Sequence, residues 1–338
     1  MKKYKFAILG YYGFGNLGDE LLLKACSKIL EADNIPPKKI IVLSNNPQET
    51  EKIFNVKSVN RWKYFEVIKA LRKTEILLLG GGGLFQDSTS VMSCVWYWGI
   101  IRLAKFLGLK VIALGQSIGE LNSKISRFLT GNALRSCEKI FVRDEHSFNV
   151  AKKLGCKNLI LSYDLVLTLK PNNPSVDTST SPLLRGDKIA PPDKGERAMK
   201  WRGSILINLR PCNDVEKFVE IISPHVKNFD GEKIGVALSN DDEKILECYK
   251  ENLSLQKIIL LKNFNDAENL WSSASCAVGM RLHFGVLSRI FQTPVALIPY
   301  DIKVKEFAKI SEIPVIINEW KEPLMPLKAP NMIKFDLL

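Results

Sequence analysis

Short apolar runs of three to six residues alternate with helix-period segments along most of the chain, and this pattern limits the fold more than any other feature of the sequence. Phe6–Gly10, Ile40–Leu43, Ile76–Leu79, Val111–Leu114, Ile140–Val142 and Leu159–Leu161 have the length and β-branched content of buried strands. Between them, the spacing predicts helices near Glu20–Glu31, Phe65–Arg72, Val95–Phe106, Lys124–Ser136 and His146–Leu154. Strands that alternate with helices in this way form a parallel sheet joined by crossover helices. The pattern stops at residues 171–202, where Pro171, Pro174, Pro182, Pro191 and Pro192 stand among Ser, Thr and mixed charge, as expected of a linker or mobile loop. It resumes with Ser204–Leu209, Ile234–Leu238, Ile258–Leu261, Cys276–Val278 and Val295–Ile298. The expected architecture is α/β and GT-B-like: two Rossmann-like, doubly wound domains, residues 1–170 and 203–322, facing a central cleft, with a packing arm at 323–338. In such sheets ligands bind beyond the carboxyl ends of the strands.

The loops at those ends carry the chemistry. The first strand runs into Gly10-Tyr11-Tyr12-Gly13-Phe14-Gly15-Asn16-Leu17-Gly18-Asp19-Glu20, and the third into Gly80-Gly81-Gly82-Gly83-Leu84-Phe85-Gln86-Asp87. Consecutive glycines are conformationally costly, so they point to a place where a ligand must come close to the backbone. The spacing Gly13-x-Gly15-x-x-Gly18 matches a dinucleotide fingerprint, but the acidic residue wanted at the next strand end is replaced by Ser44-Asn45-Asn46, which disfavours NAD. Two further strand ends carry Gly115-Gln116-Ser117-Ile118-Gly119 and Arg143-Asp144-Glu145. In the second half, Gly279-Met280-Arg281-Leu282-His283-Phe284 puts a cation and an imidazole at a strand-to-helix turn, where unpaired backbone N–H groups and the helix dipole favour an anion.

Together these segments, with Val142-Arg143-Asp144 and Pro299-Tyr300-Asp301-Ile302-Lys303-Val304, resemble the polysaccharide pyruvyl transferase family, in order from the first strand to about residue 310. The resemblance implies phosphoenolpyruvate as donor and a ketal-linked pyruvate on two hydroxyls of an acceptor sugar. By the same resemblance the donor-binding residues fall on Arg143, Arg281, Leu282, His283 and Lys303. Phosphoenolpyruvate carries a carboxylate and a phosphate on a small frame, which calls for several cations, with Arg giving forked and Lys point-charge contacts.

Ketal formation needs a proton donor and a proton acceptor. His283 is the candidate acid because its ordinary pKa lies closest to neutrality, although neighbouring cations would lower it. Asp19 and Asp87 are the candidate carboxylates, as base or as ligands of the acceptor hydroxyls; for Asp19 a plain helix-capping or first-turn role stands beside that reading. The acceptor side is assigned to Gly15, Asn16, Gly18 and Asp19 of the first loop, Gly82, Gly83, Gln86 and Asp87 of the second, and Gln116 of the third. His146 and His225 are expected at the surface.

No cofactor or metal is expected beyond phosphoenolpyruvate as co-substrate, since cations can neutralise the phosphate and no metal-ligand spacing is present. The seven cysteines are scattered without a CxxC pair, as in a reduced cytoplasmic protein. A net charge of +12 favours an acidic partner. A lipid-diphosphate-linked saccharide on the anionic inner membrane face fits that charge, and nucleic acid does not, because cations and aromatics are not interleaved. Two other functions remain open on the sequence: a GT-B glycosyltransferase using a nucleotide sugar, and a non-catalytic binder of acidic polymer.

Overall fold

A computed structural model describes residues 2–87, 90–171, 203–320, Leu324, Phe335 and Leu337. Apart from Pro171 the expected linker at 171–202 lies outside the described residues, as does most of the arm at 323–338. The chain divides into two compact units, Met1–Thr168 with Met332–Leu338, and Leu169–Asn331.

The first unit runs β1 (Tyr4–Leu9), α1 (Leu17–Ala32), β2 (Ile40–Ser44), α2 (Pro47–Phe54), β3 (Lys57–Asn60), α3 (Tyr64–Arg72), β4 (Thr74–Phe85), α4 (Met92–Phe106), β5 (Lys110–Ile118), α5 (Lys124–Arg135), β6 (Lys139–Val142), α6 (Glu145–Lys153) and β7 (Leu159–Leu161). Its seven strands are parallel in the order β3-β2-β1-β4-β5-β6-β7. The central strands are apolar on both faces. Ala7, Leu9, Leu77, Leu79, Val111 and Ala113 join the core under α4 and α5, while the alternate residues Phe6, Ile8, Ile76, Leu78 and Leu114 are also buried. Burial on both faces explains why these segments read as unbroken apolar runs. The strand order reverses between β1 and β4, so the crevice of this unit lies between the Gly10–Gly18 loop and the glycine run of β4.

The second unit runs β8 (Ser204–Asn208), α7 (Val215–Lys227), β9 (Glu232–Ala237), α8 (Asn240–Cys248), β10 (Lys257–Leu260), α9 (Phe264–Trp271), β11 (Ala274–Gly279), α10 (Leu282–Ile290), β12 (Val295–Leu297) and α11 (Ile302–Ile310). The order β10-β9-β8-β11-β12 is again parallel and reverses between β8 and β11. It has its own core, with Ile205, Ile207, Phe218, Ile222, Ala237, Leu246, Val278 and Ala296.

Two segments expected as loops are strand. β4 continues through all four glycines to Phe85, and β5 through Gly115 to Ile118. Packing sets the glycines of β4. Tyr12 Oη donates to the Gly80 carbonyl at 2.7 Å, and a Cβ on Gly80 would collide with that hydroxyl. Gly81 has φ +86° and lies against Leu22 and Leu165, where a Cβ would come within 3.1 Å of each. These two glycines admit α1 and the first loop to the sheet, which corrects the expectation of a loop open to ligand. His146 and His225, expected at the surface, are half-buried, and the His225 ring lies 5.1 Å from that of Trp320. Among the described residues no helix is long and apolar enough to cross a membrane.

Candidate functional site

In the second unit, β8, β9, β11 and β12 deliver their carboxyl ends to one edge. Asn208 closes β8 fully buried; its side-chain amide donates to the Val236 carbonyl at 2.8 Å, and its Oδ1 accepts the Arg281 backbone N–H at 2.9 Å. Arg281 is thereby fixed as the N-cap of α10. Its guanidinium is clamped by Asp242 on α8: Nη2 meets Oδ1 at 2.6 Å, Nε meets both oxygens at 3.0 and 3.1 Å, and Nη2 also reaches Ser239 Oγ at 3.1 Å. Asp242 is fully buried. A buried carboxylate that holds one edge of a fork positions that fork without the entropy cost of ordering it on binding. His283 follows, half-buried, in the first turn of α10. The Leu282 side chain is in the core, so this residue can offer a ligand only its backbone N–H at the helix start.

Lys303 opens α11 and pairs with Asp301, the N-cap, at 3.1 Å. Burial works to raise the Asp301 pKa, but Lys303 and Arg210 outweigh it and hold the carboxyl below its usual range. Arg210 is a cation that the sequence reading missed. It lies two residues beyond β8, stacks over the Tyr300 ring at 4.2 Å and donates to the Tyr300 hydroxyl. This edge therefore carries Arg210, Arg281, His283 and Lys303 on the ends of three adjacent strands, beside a helix N-terminus. Such a set suits a small, multiply charged anion.

In the first unit, Asn16 caps α1: its Oδ1 accepts from Gly18 N at 3.2 Å and its Nδ2 donates to Asp19 Oδ2 at 2.7 Å. Asp19 and Glu20 occupy the first turn of α1. Gly82 lies beside Asp19, so the first loop and β4 meet there, while Gly15 is open. Glu20, also missed, accepts the Gly13 N–H at 2.7 Å. Burial raises its pKa to about 7, the Gly13 N–H opposes this, and Asp19 and Glu49 add to it. A carboxyl whose pKa is raised toward neutrality in the first turn of a helix beside a glycine loop is suited to exchanging protons.

The structure relocates three expected site residues. Asp87 Oδ1 and Oδ2 each accept a backbone N–H, from Asn122 and Ser123, at 2.8 Å. Although burial favours the neutral acid, these contacts, with Ser126, hold Asp87 below the usual carboxylate range, which suits it to ordering the turn before α5 and makes it a poor base. Gln116 is fully buried within β5, its amide spanning to the Leu79 and Leu114 carbonyls, so it cannot face a sugar. Arg143 is buried against Asp164 at 2.7 Å and Asp144 at 3.8 Å. Asp144 in turn caps α6 through Ser147 N and accepts from Ser117 Oγ, which makes Arg143 the centre of an internal charge network. Gln86 lies half-buried against Gly119, and Gly83 is the most open residue of the glycine run. Among the described residues, no group of three or more His, Cys, Asp or Glu side chains could hold a metal.

Solved structures with the same arrangement of elements include the Methanocaldococcus jannaschii UDP-GlcNAc 2-epimerase (TM-score 0.59, 14% identity, covering 93% of this chain and 89% of that one). The Neisseria meningitidis UDP-GlcNAc 2-epimerase bound to UDP-GlcNAc gives 0.56 at 12% identity, covering 93% and 88%. Anabaena Alr3699/HepE, in complex with UDP and glucose, gives 0.54 at 11% identity, covering 91% and 89%. At such identities the likeness is one of fold, and it places the chain in the GT-B-like class of two Rossmann-like units. No curated protein matches the chain. The model of the polysaccharide pyruvyl transferase family matches residues 16–302, and the chain belongs to that family of transferases.

Proposed function

We propose that this protein transfers pyruvate from phosphoenolpyruvate to two hydroxyls of a sugar, forming a ketal on a lipid-diphosphate-linked saccharide of cell-wall or exopolysaccharide biosynthesis. The observation that carries the donor assignment is the convergence of Arg210, Arg281, His283 and Lys303 on the carboxyl edge of the second unit. Carboxylate and phosphate are both anionic, and four donors on rigid strand ends match that demand better than they match a neutral ligand. Arg143, engaged by two carboxylates, supports the fold of the first unit, and its donor role passes to Arg210.

The chemistry then assigns roles. His283 protonates the methylene carbon of the enol ester, which leaves C2 with oxocarbenium character. One sugar hydroxyl adds to C2, the bond to the phosphate oxygen breaks, and a second hydroxyl closes the ketal. One hydroxyl proton restores the acid and the other leaves with inorganic phosphate. The acceptor side is assigned to the first loop of the first unit, where Asn16 and Asp19 orient the sugar and Glu20, its pKa raised by burial to about 7, accepts a proton from a bound hydroxyl. The positive charge of the chain favours peripheral contact with an anionic leaflet.

An assay of phosphate release from phosphoenolpyruvate across lipid-linked and nucleotide-linked sugars tests this reading. Release dependent on a saccharide, and lost in Arg281→Ala and Lys303→Ala, is the expected result. Turnover of a UDP-sugar with no dependence on phosphoenolpyruvate would replace it with a nucleotide-sugar glycosyltransferase.

A further inference from the structure

Three neighbouring strand ends of the first unit build an aromatic cluster that the donor chemistry does not use. Its centre is Arg61, 3% exposed, just beyond β3. The guanidinium donates to the Gly10 carbonyl at 2.7 Å, and no acceptor meets its Nε among the described residues. Instead it lies among rings, 3.9 Å from the centroid of Trp96, 5.2 Å from Trp62, 5.3 Å from Phe14 and 5.6 Å from Tyr97. A planar cation over aromatic faces in a desolvated setting holds those rings firmly. Two of them carry the cluster to the surface. Trp62 is 49% exposed, yet its indole N–H is fixed to Asn45 Oδ1 at 2.9 Å. Phe14 stacks face to face with Tyr11 at 4.0 Å and 8°, and Tyr11 is 45% exposed.

We infer that Trp62, Tyr11 and Phe14, braced from below by Arg61, form a platform that seats a pyranose ring of the acceptor saccharide. This inference rests on the reading of the first loop as the acceptor side. Trp62 and Tyr11 are exposed and Phe14 is half-buried, and each ring is held by a partner, so little side-chain freedom is lost when something stacks on them. Polar groups stand between the aromatic faces: Asn45 Nδ2 donates to the Gly13 carbonyl, and the loop carrying Tyr11 and Phe14 continues into Asn16, Asp19 and Glu20. A ring with an apolar C–H face and a hydroxyl edge meets both features, stacking on the aromatic faces while its hydroxyls reach the polar loop beside them. Phe65, 90% exposed at the start of α3, has no such bracing by Arg61 and serves as a control for plain apolar contact.

The test uses the full chain without phosphoenolpyruvate. Saturation-transfer NMR would be run with methyl glycosides and β-linked disaccharides of glucose, galactose, N-acetylglucosamine and N-acetylmannosamine. Expected is transfer concentrated on ring C–H protons, with affinity reduced at least about tenfold in Trp62→Ala and Tyr11→Ala, largely retained in Trp62→Phe, and unchanged in Phe65→Ala. Thermal midpoints and phosphoenolpyruvate titrations of the same variants separate loss of the platform from loss of fold. Binding of none of these sugars, equal binding by Trp62→Ala, or displacement of sugar by uridine in a Trp62-dependent manner would each overturn the inference. If wild type binds sugar through Trp62 but transfers no pyruvate, the donor reading fails and the platform stands. If transfer proceeds and Trp62→Ala keeps its acceptor KM, the platform fails and the donor reading stands.

Discussion

Asp242 has no exposed surface, and its carboxylate holds the guanidinium edge of Arg281. Replacing it by Asn removes the charge but keeps the shape, so Arg281 loses its orientation and a buried ion pair loses one partner. Asp242→Asn should lower stability by roughly 3 kcal/mol in a denaturant titration and weaken phosphoenolpyruvate binding at least about tenfold by calorimetry. Glu20 gives a pH signature. Its pKa rises from 4.5 to about 7 on folding, so the native state binds the proton more tightly than the unfolded chain does. The associated stability is fully present below pH 4.5 and is lost as pH rises through about 7. Relative to wild type, Glu20→Gln should gain stability across that window, approaching ~3 kcal/mol above it. The same variant should lose about a hundredfold or more in transfer rate, and the wild-type rate should climb with a midpoint near 7, a profile that Asp87→Asn leaves in place. The placing of Arg281 and His283 at a helix start was legible because a strand-to-helix turn marks them, whereas Lys303 was reached only through the family resemblance. Glu20 was not, because its pKa comes from burial, and Arg210 was not, because its partner Tyr300 is ninety residues away.

At the scale of elements, nearly every central strand was legible, since burial on both faces leaves an unbroken apolar run. β3 and α2 were missed: β3 is an edge strand with no buried residue, and α2 buries only Thr50. Glycines obscured the ends of β4 and β5, because a residue without a side chain carries no strand signal even where it is hydrogen-bonded in the sheet. Gly81 and Gly83 separate the two reasons for glycine. Gly81→Ala puts a Cβ on a residue at φ +86° against Leu22 and Leu165, and should cost about 1–3 kcal/mol in chemical denaturation. Gly83→Ala finds its nearest neighbour, Gln86 Oε1, only at 4.0 Å and should cost well under that. Gln116 and Arg143 follow the same logic in reverse. Gln116 looked like a ligand because glycines flank it and Arg143 because of the family resemblance, but the sheet holds the first and an ion-pair network the second.

At the scale of the whole molecule, two units with separate cores and a net charge of +12 were legible from periodicity and composition alone. The charge leads to a further prediction. Co-sedimentation with vesicles rich in anionic lipid should be substantial at low salt and fall steeply by 0.3 M, where the Debye length shrinks to about 6 Å, and neutral vesicles should not retain the protein. The glycine run of β4 bears on how the first unit reaches its native state. β4 lies at the centre of the sheet between β1 and β5, yet at Gly80–Gly83 it has no side chain to collapse onto a neighbour and the largest backbone entropy to lose. That stretch is ordered by its ladder to β5 and, on its faces, by the Tyr12 hydroxyl on Gly80 and by Leu22 and Leu165 against Gly81. The crevice beside this stretch therefore depends on the docking of α1 and the first loop, and Tyr12→Phe, which removes the hydroxyl on Gly80, should speed amide exchange at Gly80–Gly83 before it does so at β1.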